Sequence, residues 1–196
     1  MHKDGNRKIG LGIMGWHDML VSLGIKYDSE EAIETADQVM KFISERAKEA
    51  SLALAEERGV FPNFVGSIYD TGKTEDRVRN ATRTTIAPTG TISILAGASS
   101  GIEPYFSIAF IRKNILGGID LPEVNPLFLK ISKQEGFYSE ELIQQIASSG
   151  KIPNDSDVPS KYKELFKTAM EIDYSWHVRH QAAFQKYTDN AVSKTI

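Results

Sequence analysis

The Pro-Thr-Gly-Thr turn at residues 88–91 is the part of this chain whose residue types and spacing most suggest chemistry. It follows a polar, β-prone run at 81–85, and Ser93 comes two residues after it. If a strand ends here and a helix follows, several free backbone N–H groups would point in one direction. The hydroxyls of Thr89, Thr91 and Ser93 would lie beside them. Amides, hydroxyls and a helix N-terminus together suit a phosphate. We therefore predict a site for phosphate or another anion.

An ordinary surface turn is the alternative, because Pro-x-Gly is common in turns and needs no ligand. The apolar residues that follow, Ile92 and Ile94-Leu95, argue against that interpretation. They predict that the hydroxyl-bearing residues are anchored beside a core.

Glu103 follows a second cluster of small residues at 97–101. A carboxylate that pointed at a bound phosphate would repel it. Glu103 would instead orient a hydroxyl or pair with Arg83 or Arg112. The competing interpretation is an acid exposed in a loop.

Gly10, Gly12 and Gly15 match the G-x-G-x-x-G pattern of dinucleotide-binding sites. Such a site needs a buried strand just before the first glycine. The polar residues at 2–8 cannot form that strand, so we expect the glycines to permit close helix packing instead. An NAD-dependent oxidoreductase stays an alternative that a strand before Gly10 would support.

His177 and His180 lie three residues apart on a predicted helix and could share a face. No nearby carboxylate completes a metal set, which favours a surface or packing role over metal ligation. The chain contains no cysteine. Disulfides, thiolate metal sites and thiyl chemistry by this chain itself are therefore excluded.

Helices predominate among the elements that would position these residues. Periodicity and capping signals predict helices at 8–23, 29–58, 126–135, 139–149, 160–171 and 175–187, and strands at 80–87, 105–112 and 191–196. Asp28 is expected to cap the long helix, with Glu31 in the capping-box position. Strands mixed with helices predict an α/β fold, and their small number indicates a sheet that borrows strands from elsewhere.

Composition and charge narrow the class of protein. The 196 residues are enough for one domain with a core. A net charge of −3 argues against nucleic acid as a partner. No apolar run approaches the ~18 residues of a membrane span, and the N-terminus lacks a secretory signal. We expect a cytoplasmic protein without a membrane or nucleic-acid partner.

Several long motifs in fixed order resemble the large catalytic subunit of ribonucleotide reductases. They occupy 7–15, 18–20, 23–25, 79–82, 85–93, 99–104, 181–186 and 188–196, and thus nearly the whole chain. The closing segment resembles the adenosylcobalamin-dependent class (class II) more than the di-iron class. The resemblance implies that 1–196 is the C-terminal part of the catalytic barrel domain, a helix-rich half of a ten-stranded α/β barrel.

The same resemblance assigns roles around the turn. It implies that substrate phosphates are bound by Pro88, Thr89, Gly90, Thr91 and Ser93. Thr91 and Ser93 are favoured because they begin the next helix. Supporting positions beside them would be Ser99, Ser100 and Glu103.

The family's radical cysteine lies upstream of the matched region, so the resemblance implies no catalytic residue in this chain. Conversion of ribonucleotides to deoxyribonucleotides by thiyl-radical chemistry would need an N-terminal half of the reductase as partner. The complete enzyme would bind a ribonucleotide substrate, share adenosylcobalamin with the missing part and form a homodimer. The alternatives are a fragment of a di-iron (class I) reductase and a catalytically inactive nucleotide-binding remnant.

Overall fold

Seven α-helices account for most of the regular structure within residues 5–115 and 119–196, which the computed structural model describes. They are α1 (Trp16–Leu23), α2 (Glu30–Arg58), α3 (Gly90–Ala96), α4 (Pro126–Gln134), α5 (Glu140–Ser149), α6 (Ser160–Leu165) and α7 (Tyr174–Gln185). No helix in this part of the chain is both long and apolar enough to cross a bilayer.

Local capping signals predicted several helix ends correctly. Asn125 caps α4 by accepting the Phe128 N–H at 2.9 Å, and Ser139 caps α5 by accepting the Leu142 N–H at 3.0 Å. The prediction that Asp28 caps α2 was wrong. Ser29 takes that place, because its Oγ accepts the Ala32 N–H at 3.2 Å. The Asp28 carboxylate instead pairs with Lys167 at 2.9 Å.

Residues 8–15, predicted as the start of the first helix, are not helical. The N–H of Ile9 donates to the Thr82 carbonyl at 3.0 Å, and the N–H of Leu11 donates to the Arg83 carbonyl at 2.7 Å. A Cβ at Gly12 would lie 2.2 Å from the Thr85 carbonyl oxygen. This glycine therefore permits close approach of two extended backbones, and no strand precedes Gly10 among the described residues.

Three extended segments that are distant in the sequence align in parallel. Leu11 forms a parallel bridge with Thr84, and Ile86 forms one with Val192. The segment at 82–86 therefore lies between the other two. The predicted strands at 80–87 and 191–196 are present as these short bridged stretches, and the prediction of a helix-rich α/β fold is confirmed.

One regular antiparallel hairpin is present in the described chain. It joins β1 (Ala109–Ile115) to β2 (Ile119–Val124), with Ala109 opposite Val124 and Ile111 opposite Pro122. The strand predicted at 105–112 thus begins four residues late. The helix predicted at 160–171 ends at Leu165.

The chain divides into two units. Unit 1 contains the described residues up to Ile13, Ile33–Ala87 and Arg179–Ser193, and unit 2 contains Met14–Ala32, Pro88–Val178 and Lys194–Ile196. A cluster of Phe61, Phe64 and Val78 lies in the core of unit 1. The larger core of unit 2 packs α1, α4, α5 and α6 around Phe128, Ile146 and Phe166.

Candidate functional site

The predicted turn leads into α3, and its first amides are uncapped. Thr89 occupies the N-cap position in a left-handed conformation with φ of 51°, and its side chain makes no capping bond to the helix. Among the described residues, the N–H groups of Gly90, Thr91 and Ile92 have no acceptor. The first N–H groups of a helix lack intrahelical partners. These three remain available to an anion.

The Thr89 hydroxyl is used elsewhere in the turn. Its Oγ1 accepts the Gly101 N–H at 2.7 Å and lies 3.3 Å from the Ser100 Oγ. Ser100 in turn donates its hydroxyl to the Pro88 carbonyl. The two small-residue stretches, 88–89 and 100–101, are therefore clasped together by side-chain hydrogen bonds.

Thr91 and Ser93 occupy different environments. Thr91 is exposed at the start of α3, whereas Ser93 is only 4% exposed. The Ser93 Oγ donates to the Gly90 carbonyl at 3.2 Å, and its N–H donates to the Thr89 carbonyl at 2.9 Å. Thr91 can thus contact a ligand directly, while Ser93 supports the turn from inside.

Asp18 on α1 fixes the second stretch of the turn. Its Oδ2 accepts the Ser99 N–H at 2.5 Å, and its Oδ1 accepts the Tyr105 hydroxyl at 2.6 Å. The Gly15 N–H donates to the Ser99 carbonyl at 2.7 Å. The His17 N–H donates to the Ser99 Oγ at 3.2 Å. Ser99 is therefore held on three sides by the beginning of α1.

His17 is fully buried beneath this arrangement. Its Nδ1 accepts the Tyr105 N–H at 3.0 Å, and its Nε2 donates to the Leu165 carbonyl at 3.1 Å. The imidazole stacks on Tyr105 with 4.2 Å between ring centroids. Burial lowers the pKa of His17 to about 4, despite the opposing effect of the Leu165 carbonyl. A neutral imidazole therefore links α1 to two other segments at neutral pH.

Burial also suppresses ionisation of Tyr105. It raises the pKa of the phenol far above its ordinary value, and the charge and hydrogen bond of Asp18 act in the same direction. The Tyr105 hydroxyl therefore stays protonated and donates to Asp18 at neutral pH.

Glu103 has a partner that the sequence did not suggest. Its Oε2 accepts from Lys194 Nζ at 2.5 Å, and its Oε1 accepts the Thr195 N–H at 2.7 Å. It is neither the partner of Arg83, which pairs with Asp189, nor an exposed loop acid. The Arg112 side chain lies outside the described residues.

The ammonium group of Lys194 makes three hydrogen bonds. The side chain is 0% exposed, and Nζ donates to Glu103, to His177 Nδ1 at 2.8 Å and to the Thr195 carbonyl at 2.7 Å. Burial lowers the pKa of Lys194, and Glu103 opposes that shift. Burial and the Lys194 charge together lower the pKa of His177, which favours the neutral ring that accepts the bond.

The expectation that Ile92 and Ile94-Leu95 anchor the turn beside a core was wrong. Their exposed fractions are 54%, 69% and 83%, and Phe106 nearby in the sequence is 83% exposed. The hydrogen bonds that Asp18 accepts and Ser100 donates, rather than apolar packing of α3, hold the turn in this chain.

His177 and His180 are both buried, which agrees with a packing role rather than a surface one. No group of three or more His, Cys, Asp or Glu side chains in the described parts of the chain could hold a metal ion.

Sequence reasoning missed three residues that organise this site: Asp18, Tyr105 and Lys194. One signal was present for Asp18. Asp18 is an acid on an otherwise largely apolar helix, and an acid that is partly withdrawn from water needs hydrogen-bond donors. Nothing in the sequence indicated which donors these would be.

A model of the ribonucleotide reductase barrel domain matches residues 2–77 and 73–196. Vitamin B12-dependent ribonucleoside-diphosphate reductases are similar over 97% of this chain. The relative from Thermoplasma acidophilum is 54% identical and the one from Mycobacterium tuberculosis is 48% identical, both over 190 residues. The chain spans 24% and 27% of their lengths, about a quarter in each case.

A solved structure gives the same result for the fold. The Actinobacillus ureae class Id ribonucleotide reductase alpha subunit superposes with a TM-score of 0.77 at 29% identity. The match covers 95% of this chain and 32% of that subunit.

Proposed function

Because this chain belongs to the barrel-domain family of ribonucleotide reductase large subunits, we propose that it forms the C-terminal part of a catalytic barrel that reduces ribonucleotides to deoxyribonucleotides. The similar relatives are named as ribonucleoside-diphosphate reductases, which favours a diphosphate as the substrate. The chain spans about a quarter of their length. Under this proposal the remainder of the barrel would come from an N-terminal part of the enzyme.

The uncapped first turn of α3 is the observation that supports a substrate-phosphate site. The N–H groups of Gly90, Thr91 and Ile92 would donate to phosphate oxygens, and the Thr91 hydroxyl would add another donor. Pro88 and Thr89 set the direction of the chain, and Ser93 supports the turn through the Gly90 carbonyl. Ser99 and Ser100 position the turn from the other side.

Glu103 is also among the residues that support the turn rather than contact the phosphate. Its charge is paired with Lys194, which removes the objection that a carboxylate near the turn would repel phosphate. The turn thus binds and orients the substrate without contributing a group that reacts with it.

The radical-bearing thiol lies outside this chain, because the sequence has no cysteine. We propose that it resides in the N-terminal part, which would also complete the barrel wall. Under this proposal the chain has no catalytic residue, and it is inactive alone.

We assign the reductase to the cobalamin-dependent class. The vitamin B12-dependent relatives are 54% and 48% identical, against 29% for the class Id subunit. A di-iron (class I) reductase fragment is the weaker alternative for that reason. An inactive nucleotide-binding remnant is the other alternative, and the experiment below separates it from the enzyme.

Two of the described histidines already use ring nitrogens in hydrogen bonds within this chain. Both ring nitrogens of His17 are engaged within the protein, and the Nδ1 of His177 accepts from Lys194. Adenosylcobalamin would generate the radical when bound to the complete enzyme. We place its binding groups mainly in the remaining part of the reductase.

Reconstitution tests the proposal. The chain is mixed with the N-terminal part of a vitamin B12-dependent relative, and adenosylcobalamin-dependent reduction of a ribonucleoside diphosphate is measured. We expect activity with the native chain and a strong loss with Thr91→Ala/Ser93→Ala. The control Ser148→Ala/Ser149→Ala removes two exposed hydroxyls from α5 and should leave activity unchanged.

Two outcomes would contradict parts of the proposal. Absence of activity with N-terminal parts from several relatives, while each part assembles with the chain, would favour the inactive remnant. Full activity and unchanged substrate KM in the Thr91→Ala/Ser93→Ala variant would refute the phosphate assignment.

A further inference from the structure

A cavity with a basic lining lies in unit 1, at the end of α2. Its volume is 500 Å³, and it is lined by the cationic side chains of Arg7, Lys8, Arg58 and Arg79. Ile9 and Leu54 supply apolar surface, with exposed fractions of 52% and 37%. No Asp or Glu lines it. We call this cavity the basic pocket.

The cations of the basic pocket lack carboxylate partners. Among the described residues, no acid lies within ion-pair distance of Arg7, Lys8 or Arg79. Arg58 contacts Glu57 at 3.3 Å, but both side chains are more than half exposed and water screens the pair. Arg7, Lys8 and Arg58 are exposed, so the pocket presents several positive charges to the solvent at one place.

Arg79 is fixed in place while part of its guanidinium stays available. Its Nη1 donates to the Arg58 carbonyl at 2.8 Å and to the Gly59 carbonyl at 3.0 Å, at the end of α2. Its Nε and Nη2 have no acceptor in the described chain. Desolvation lowers the pKa of Arg79, and the positive charges of Arg7 and Arg58 lower it further. The charges of Arg7 and Arg58 therefore repel that of Arg79.

The backbone conformation of Arg7 is strained, and it places this residue near other positive charges. Arg7 has φ of 44°, in the left-handed region that arginine rarely adopts. Its carbonyl accepts from Asn80 Nδ2 at 2.8 Å. Asn80 is only 8% exposed and is bonded through both its N–H and its Oδ1 to the buried Ser51, at 3.0 Å each. The buried Asn80, held by Ser51, thus fixes the backbone of Arg7 beside the other positive charges.

Strained backbone conformations of this kind cluster at functional sites and ligand clamps. We propose that the basic pocket binds a polyphosphate anion, either inorganic or as part of a nucleotide. Guanidinium groups present planar paired donors that match phosphate oxygens. The apolar surface of Ile9 and Leu54 would contact the base if the anion is a nucleotide.

Site-resolved titration of the full 196-residue chain tests this proposal. Inorganic tripolyphosphate, ATP and adenosine are added separately, and backbone amide shifts are followed by NMR. We expect tripolyphosphate and ATP to shift the amides of Lys8, Ile9 and Asn80, and adenosine alone to have no effect. Tighter binding of ATP than of tripolyphosphate identifies a nucleotide, and equal binding identifies an inorganic anion.

Charge removal provides the decisive comparison. Arg7→Gln/Lys8→Gln should weaken tripolyphosphate binding by about tenfold or more, since charge-assisted bonds are lost. Lys41→Gln/Arg46→Gln removes the same charge from an exposed stretch of α2 and should leave the affinity unchanged. The Thr91→Ala/Ser93→Ala variant should also retain these shifts, which separates them from any effect at the turn.

Equal affinity in the native chain and in Arg7→Gln/Lys8→Gln, with circular dichroism confirming that the variant is folded, would overturn the proposal. Absence of shifts at Lys8, Ile9 and Asn80 at millimolar tripolyphosphate would overturn it as well.

Discussion

Asp18 and Ser99 are joined by a hydrogen bond of 2.5 Å between partners that lie 81 residues apart in the chain. The other carboxylate oxygen of Asp18 holds the Tyr105 hydroxyl at 2.6 Å. One acid on α1 therefore sets the position of the stretch at 99–101, which in turn clasps Thr89. The proposed phosphate site depends on a residue that would not touch the phosphate.

Replacing Asp18 tests this dependence. Asp18→Ala leaves the Ser99 N–H and the Tyr105 hydroxyl without their acceptor, so the free energy of unfolding should fall by about 1–3 kcal/mol. Asp18→Asn should have a smaller effect, because an amide can accept from Ser99 and donate to the Tyr105 oxygen. Urea denaturation gives the stability, and ADP-induced amide shifts at Gly90–Ile92 give the binding.

The matched control for Asp18 is Asp155→Ala, an exposed acid of unit 2, which should change stability by less than about 0.5 kcal/mol. Unchanged ADP shifts in a folded Asp18→Ala protein would mean that the turn does not need this support.

Gly90→Ala should separate binding from stability. Gly90 begins α3, and a Cβ built there meets no atom within 4 Å. Alanine should therefore keep the free energy of unfolding the same or raise it by up to about 1 kcal/mol. ADP binding should nevertheless weaken, because the methyl group would stand where phosphate approaches the amides.

Gly24→Ala is the comparison, because it should lower stability without weakening ADP binding. Gly24 has φ of 75°, so alanine there should destabilise the protein, while ADP binding by the folded fraction stays the same. Native ADP affinity in Gly90→Ala would show that the start of α3 is not where the anion binds.

His17 should make stability depend on pH between about 6.5 and 4. Burial lowers its folded pKa to about 4, whereas the unfolded chain takes up a proton near 6.5. The unfolded state binds more protons in this window, so the stability present above pH 6.5 is lost as the pH falls towards 4. The loss attributable to His17 should reach roughly 3 kcal/mol.

Two measurements check the His17 prediction. Unfolding free energies of the native protein and of His17→Gln are compared across the pH range, and the native protein should show the steeper loss. The imidazole proton signals of His17 should also stay in their neutral form down to about pH 4. A titration near 6.5 would contradict the buried, doubly bonded ring.

Arg83 and Asp189 should contribute strongly to the stability of unit 1. The Arg83 guanidinium bonds both Asp189 oxygens at 2.9 Å, and its side chain is 9% exposed. Removing one member leaves the other charge poorly solvated, so Arg83→Met should lower the free energy of unfolding by about 3–5 kcal/mol. Urea denaturation measures the loss.

Arg83→Lys should rescue little of that stability, because an ammonium cannot form the paired bonds. Arg46→Met is the control: Arg46 pairs with Glu49 at 2.8 Å, but both side chains are more than half exposed, so its loss should stay below about 0.5 kcal/mol. Similar losses for Arg83→Met and Arg46→Met would argue that the Arg83 pair is exposed to water in solution.

Features determined by neighbouring residues were predictable from the sequence. Asn125 and Ser139 cap the helices that follow them, because each bonds an amide three residues ahead. The turn at 88–91 and the helix after it were predictable for the same reason. The barrel family followed from the order of motifs, which is a pattern along the chain.

Features that depend on distant partners were not predictable. Residues 9–11 are extended because they pair with 82–85, whereas their local pattern favours a helix. Glu103 pairs with Lys194, 91 residues away, rather than with a nearby arginine. The apolar pattern of Ile92 and Ile94 indicated burial, but burial requires a covering element that the described chain does not supply.

The parallel alignment of three distant segments has a consequence for synthesis of the protein. The segment at 82–86 lies between 9–11 and 191–193, so its second partner leaves the ribosome long after it does. Thr85 and Ala191 are 106 residues apart, a delay of roughly 5–20 s at ordinary translation rates. Throughout that interval the nascent chain carries an unpaired strand edge. Translation speed across residues 90–190 should therefore influence how much of the protein reaches its native pairing.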